Sequence, residues 1–271
     1  MQNITELVKA RRSVRTFEKI KVSDDDIQKL FDVLKQMENP FNIPVSFKLL
    51  DAKRRNLKCP VVSGTSLFVG LKVPKIPHAE EAVGYSFEKL VLFAQSIGIG
   101  TVWIGGTMDR PAFERAMELE ENEMMPIVSP LGYTAEKMSV KEVMMRKGVK
   151  ADSREAFESL FFDGTFDTPL TEEKAGKLAP LLENVRLAPS AVNKQPWRIV
   201  VNGNDVHFYL KHGKGFGSGK AGDMQKIDMG IALSHFALSA EEAGIKLQFG
   251  IDDPGIAISS EMEYIATYKI V

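Results

Sequence analysis

The feature that most constrains this chain of 271 residues is that it repeats itself once. Gly84, Phe87, Leu90, Val91, Ala94, Ile97 and Gly98 recur as Gly230, Leu233, Phe236, Ala237, Ala240, Ala243 and Gly244, each 146 residues later (230 − 84). Apolar residues spaced by three and four mark a helix face. The closing glycine suits a left-handed C-cap. Each helix is followed by an expected strand, Thr101 to Ile104 or Lys246 to Ile251. Behind the N-cap Ser23 and the aspartates Asp24 to Asp26 come Ile27, Leu30, Phe31, Leu34 and Met37, which predict an amphipathic helix. Behind Thr171, Glu172 and Glu173 come Ala175, Leu178, Ala179, Leu182 and Val185, 148 residues on (178 − 30). Thr16-Phe17 recurs as Thr165-Phe166, 149 on (165 − 16). Any two amphipathic helices share such a pattern, but offsets this steady over three elements in one order point to duplication. The period is too long and the copies too few for a solenoid, so the repeat predicts a fused dimer.

Further strands are expected at Ser46 to Leu50, Ser66 to Leu71, Pro126 to Leu131, Arg198 to Asn202, Val206 to Leu210 and Glu263 to Ile270. Helices and strands in mixed order predict the α+β class. A basic, polar stretch from Gly148 to Gly164 interrupts the hydrophobic pattern, which predicts a first half over residues 1–160 and a second over 161–271. The charge balance of 35 basic against 36 acidic residues gives no global field for nucleic acid or an anionic membrane. A single cysteine, Cys59, excludes an intrachain disulfide and any multi-cysteine metal site, and fits a reducing cytosol. There is no secretory-signal pattern and no apolar run of membrane-spanning length, so a soluble cytoplasmic protein is expected. His78, His207, His212 and His235 lack metal-ligand spacing, and the glycine-rich Gly213 to Gly222 lacks the order of a P-loop. No metal site is expected, and the glycine-rich stretch reads as a surface loop.

Three strings carry chemistry. Arg11-Arg12-Ser13-Val14-Arg15 concentrates guanidiniums and a hydroxyl, the donors that bind phosphate at fixed geometry; taken alone, it also fits a solvated basic helix face. Ala188-Pro189-Ser190-Ala191-Val192-Asn193-Lys194-Gln195-Pro196-Trp197 brackets a helix-to-strand turn with two prolines. Its side-chain carboxamides offer donor and acceptor together, the complement of a heterocycle edge. Gly98-Ile99-Gly100-Thr101-Val102-Trp103-Ile104-Gly105-Gly106 ends a buried strand in a glycine pair, where a planar ligand can approach backbone N–H groups; a plain tight turn fits it too.

Together these strings resemble the FMN-dependent nitroreductase family, more closely its subgroup with tandem halves, over most of the chain. The resemblance implies a nitroreductase-like FMN-binding fold in which an intrachain pseudo-dimer replaces the usual homodimer, so that the chain works as a monomer. It implies ping-pong electron transfer from NADH or NADPH through FMN to a nitroaromatic, a quinone or a similar electron-poor acceptor, with no protein nucleophile. A non-enzymatic FMN-binding or sensing protein is the other class consistent with the fold. By the same resemblance Arg11 and Ser13 face the phosphate or ribityl chain, Arg15 the pyrimidine end, Gly105 and Gly106 the flavin N5, Arg12 belongs to the cofactor-binding set, and Arg154 adds a second phosphate cation. Pro189, Ser190, Ala191, Asn193 and Gln195 complete the site from the second half. The complementary site is expected to be dismantled: Phe161-Phe162-Asp163 stands where Arg11-Arg12-Ser13 would recur, Asn39 to Pro44 replaces the Pro189 turn, and Gly250 lacks a glycine pair.

Overall fold

The structure is a computed structural model that describes residues 3–213, 219 and 221–271; most of the Gly213 to Gly222 stretch lies outside the described residues. The chain opens with α1 (Ile4–Ala10) and α2 (Asp24–Lys35), then β1 (Ser46–Asp51) and β2 (Leu67–Pro74). The long α3 (Ala79–Ser96) leads to β3 (Ile99–Gly100), α4 (Arg110–Ala116), β4 (Glu123–Met124), β5 (Val128–Tyr133) and α5 (Val140–Gly148). Then follow α6 (Phe157–Leu160), β6 (Phe161–Asp163), α7 (Glu172–Ala175), α8 (Ala179–Arg186), β7 (Trp197–Asn202) and β8 (Asp205–Lys211). The second long helix, α9 (Met224–Glu242), precedes β9 (Leu247–Gly250) and β10 (Met262–Ile270). Among the described residues no helix is long and apolar enough to cross a membrane.

The duplication is visible in how the strands pair. One sheet runs β1-β2-β5-β3, with β4 on β2; the other runs β7-β8-β10-β9, with β6 outside β7. Within each four-strand path every neighbour is antiparallel. Helices and sheets thus alternate in an α+β architecture of two related halves.

The two long helices bury almost every face, as interior helices do, rather than one stripe. Phe87, Leu90 and Val91 of α3 and Leu233, Phe236 and Ala240 of α9 belong to one core that spans both halves. Gly84 and Gly230 set the distance between the helices. A Cβ on Gly84 would overlap the Ile227 carbonyl oxygen, and a Cβ on Gly230 would overlap that of Glu81. Ile227 follows Glu81 by the same 146 residues (227 − 81), so the crossing is reciprocal, as in an isologous dimer contact. Gly98 and Gly244 end the helices at φ +76 and +69, in the left-handed region that glycine adopts freely.

Three expectations are corrected. The helix after Thr171 breaks into α7, a 3₁₀ turn and α8, because Gly176 turns to φ +54 and Pro180 opens the next helix. Strand β3 stops at Gly100, and Thr101 and Ile104 make only isolated bridges, to Ser13 and Val128. Phe161-Phe162-Asp163 does not occupy a place like that of Arg11 to Ser13. It pairs parallel with β7, and buried Phe161 packs on Phe157 at 4.5 Å, whereas Ser13 lies beside Thr101.

Candidate functional site

A cavity of about 470 Å³ lies where the two halves meet. Of the residues singled out from the sequence, Arg11, Arg12, Ser13, Arg15, Gly105, Gly106, Arg154, Pro189, Ser190, Ala191 and Asn193 line it; Gln195 does not. Trp103, Arg146, Asp152 and the α9 residues Met224, Ile227, Asp228 and Ile231 complete much of the wall.

The arginine string is placed by both halves. Helix α1 is held at its start by Glu242, which accepts from the Ile4 N–H at 2.7 Å, and by Asn184, whose Nδ2 donates to Thr5 Oγ1 at 2.9 Å. It ends at Arg11, whose extended backbone (ψ 130) carries the chain past Thr101, where the Val14 N–H donates to the carbonyl at 2.8 Å. Burial lowers the Arg11 pKa below the usual arginine value, while Glu88 pulls it back up. Burial also lowers that of Arg15, against Glu142. Arg154 is lowered first by burial and then by the positive charge of Arg11. Among the described residues the Nε groups of Arg11, Arg15 and Arg154 are buried without a hydrogen-bond partner. Cations crowded into one wall with N–H groups left over make an anion site, since an unsatisfied charged donor costs more than about 1–3 kcal/mol.

Arg12 is different. Its Nη1 donates to Glu142 Oε1 at 2.7 Å, and Glu142 Oε2 accepts from the Arg15 N–H at 3.2 Å. Buried Glu142 therefore steers the string and neutralises one of its charges. Its one sequence signal is its position three residues after the N-cap Ser139, whose Oγ accepts from the Glu142 N–H at 3.2 Å.

The Pro189 turn is held in an unusual backbone. Val192, Asn193 and Gln195 all have positive φ, at 44, 60 and 48, without a glycine among them. Such conformations persist only when surroundings enforce them. Here Ser190 Oγ accepts from the Gln195 N–H at 2.9 Å, and both Asp228 oxygens accept from the Ala191 N–H, at 3.0 and 3.1 Å. Asn193 Nδ2 donates to the carbonyls of Lys150 and Ser153 at 2.7 and 3.0 Å. Gln195 Oε1 accepts from the Glu155 N–H at 3.0 Å, and its Nε2 donates to the Asn193 carbonyl at 3.3 Å. The carboxamides expected to meet a heterocycle thus clamp the turn to the 150–155 segment, and Gln195 is withdrawn from the cavity. Arg154 joins the clamp, donating to the Leu187 carbonyl at 3.1 Å.

At the glycine pair, the Gly105 carbonyl accepts from Arg110, and a Cβ there would sit 2.6 Å from Met224 Sδ. Gly106 has nothing within 4 Å of its Cβ position and opens onto the cavity. Trp103 lines the wall with its indole N–H donating to Glu88 Oε2 at 3.2 Å; Glu88 Oε1 meets His235 Nε2 at 2.9 Å. His235 Nδ1 faces the Asn184 carbonyl, which can only accept, so Nδ1 carries a proton.

The duplicate of this place is filled by side chains. Trp103 and Met224 correspond, at the 146-residue offset (249 − 103, 224 − 78), to Phe249 and His78. Phe41, from the segment that replaces the Pro189 turn, stacks on His78 at 5.2 Å and meets Phe249 edge-on at 4.9 Å. Asn39 closes that segment, its Nδ2 donating to the Ile43 carbonyl at 2.8 Å. Among the described residues no group of three or more His, Cys, Asp or Glu is placed to hold a metal.

A family model described as "Putative TM nitroreductase" matches residues 3–240. A solved structure described as a "putative nitroreductase" from Thermotoga maritima is 20% identical, covers 100% of this chain and 93% of its own, and superposes with a TM-score of 0.64. An FMN-dependent nitroreductase from Clostridium difficile is 14% identical over 52% of this chain and 94% of its own, with a TM-score of 0.42. No curated protein sequence matches the chain.

Proposed function

The chain belongs to the nitroreductase family whose model spans residues 3–240, and on that premise we propose that it is an FMN-dependent NAD(P)H oxidoreductase with one flavin site, shared between its halves. We divide it at residues 1–160 and 161–271 and read it as a monomeric pseudo-dimer, because α3 and α9 already cover each other inside one chain. The observation that carries the reading is the set of buried, unpartnered Nε groups of Arg11, Arg15 and Arg154 on the wall of one cavity.

Those donors fit a phosphate and a flavin's anionic edge. Arg11, Ser13 and Arg154 would hold the phosphate end through charge-assisted hydrogen bonds. Arg15 would place positive charge at the pyrimidine end, where reduction adds electron density. Gly105 and Gly106 leave room for backbone N–H groups to approach a planar ring. Pro189, Ser190 and Ala191 form the opposing wall, while Arg12, Asn193 and Gln195 act at one remove by holding the two strings in shape. When bound, FMN supplies two-electron hydride chemistry between NADH or NADPH and an electron-poor acceptor such as a nitroaromatic or a quinone.

Adding FMN to the purified chain and recording its visible spectrum tests the cofactor directly. Isothermal titration is expected to saturate at one FMN per chain, with light scattering returning a monomer. Bleaching of the bound flavin by NADH or NADPH, and its reoxidation by an added quinone, separates an enzyme from a flavin-binding protein. A stoichiometry of two, or tight binding by either half alone, refutes the shared site.

A further inference from the structure

Taking up a hydride leaves a quinone or nitro acceptor in need of a proton, and the wall of this cavity offers few sources. Its ionisable groups among the described residues are Arg11, Arg12, Arg15, Arg146, Arg154, Asp152 and Asp228. Guanidiniums do not give up protons in proteins. Asp152 is engaged by Arg146, with its side chain 83% exposed. Asp228 is only 3% exposed, yet lines the cavity from the first turns of α9.

We infer that Asp228 is the proton donor of this cavity, delivering a proton to the bound acceptor as the acceptor takes a hydride. The inference rests on the oxidoreductase reading above. Among the described residues both carboxyl oxygens share a single protein donor, the Ala191 N–H, and so lack the two or three donors that hold a buried carboxylate ionised. None of the cavity arginines forms an ion pair with it, and the charge that acts on it is Asp223, of its own sign, at the N-cap of α9. Burial, opposed by the Ala191 N–H and reinforced by Asp223, raises its pKa well above the ordinary aspartate value. In the step itself a two-electron donor passes hydride to a quinone. The Asp228 O–H bond breaks, the proton joins the quinone oxygen, and hydroquinone leaves a carboxylate that regains its proton from water.

The first test is carbon NMR of the aspartate-labelled wild-type chain without flavin, with Asp228→Asn identifying the signal. A carboxyl carbon still protonated at neutral pH is expected; titration at the ordinary aspartate value overturns the inference. The second uses the FMN-loaded chain, once reduced, in rapid mixing. Asp228→Asn keeps an oxygen to accept from Ala191, and an FMN titration fixes the concentration at which each chain is fully loaded before mixing. Reoxidation by benzoquinone should slow by roughly 10²-fold or more, the lower range of general acid catalysis. Reoxidation by ferricyanide, which needs no proton, should not change. Unchanged benzoquinone rates mean that water supplies the proton and sink the inference while leaving the oxidoreductase reading intact. Failure of the wild-type chain to take up FMN defeats that reading and the donor role with it, a result the NMR measurement distinguishes because it needs no flavin.

Discussion

Replacing Gly84 by alanine puts one methyl group into the crossing of α3 and α9. The added Cβ would overlap the Ile227 carbonyl oxygen and lie 2.9 Å from the Ile227 carbonyl carbon and 3.0 Å from the Gly230 Cα. All three are backbone atoms of a helix, which no rotamer change can move, so α3 and α9 must separate. Overpacking of a core costs about 1–3 kcal/mol, and a contact with rigid backbone on both sides belongs at the upper end. For a chain of this size that lowers the melting temperature by roughly 5–10 °C. Gly230→Ala meets the mirror-image obstacle, with Glu81 C and Tyr85 N both at 2.8 Å, and should cost about as much. The double variant should cost clearly less than the sum, because one separation relieves both overlaps. Since Ile227 and Asp228 line the cavity, both single variants should also weaken FMN binding. Gly148→Ala, with nothing within 4 Å, is the control and should melt within about 0.5 kcal/mol of wild type. Calorimetry on the four variants decides the matter: a Gly84→Ala chain that melts like wild type, or strict additivity in the double variant, refutes the reciprocal crossing.

Arg11→Ala and Arg15→Ala should each remove a charge-assisted contact of about 1.5–3 kcal/mol and weaken FMN binding by roughly ten- to over a hundredfold; unchanged flavin titrations would return the string to a solvated basic face. Asn193→Ala should weaken FMN comparably but by another route, raising amide hydrogen exchange across residues 150–155, which Arg15→Ala leaves protected; equal exchange in both variants contradicts the clamp. Asp228→Asn should raise the melting temperature at pH 7. With its folded pKa raised well above 3.8 by burial, Asp228 in the donor role keeps a proton that the unfolded chain releases. The stability linked to that proton is complete below about 3.8 and is lost as pH rises through the folded value, so the variant's advantage should vanish in acid. Melts at neutral pH and at pH near 3.8 that show the same gain would rule this out.

Much of the fold was legible because its main signals are local. The spacing from Gly84 to Gly98 and from Gly230 to Gly244 marked both long helices and their caps, and the shared offset marked their equivalence. Strands β4 and β6 escaped because two or three residues hold no periodicity to read. The break at Gly176 depends on a positive φ that the apolar pattern of the helix outweighed. The three strings do come together at one cavity, but their internal division of labour depends on side-chain direction. Gln195 and Asn193 have the chemistry of a heterocycle edge, and a left-handed backbone turns them onto the 150–155 segment instead. Glu142 and Asp228 were passed over for the opposite reason. Each is a lone acid in an ordinary helical run, and only tertiary packing brings Glu142 to Arg12 and Asp228 to the cavity wall.

The way the strands pair also sets a timetable for the chain as it leaves the ribosome. Every described ladder and bridge joins residues within 13–134 or within 161–270, so the first sheet can close while the strands of the second are still unmade. Until α9 emerges, the face of α3 around Gly84 has no cover, and α1 lacks Glu242 to hold its start. Arg11, at the end of α1, therefore reaches its final position only after Asn184 and Glu242 have been made. The half-made protein is a sheet with an uncovered apolar helix and a loose basic arm, and this interval before α9 docks is when the chain is most open to aggregation.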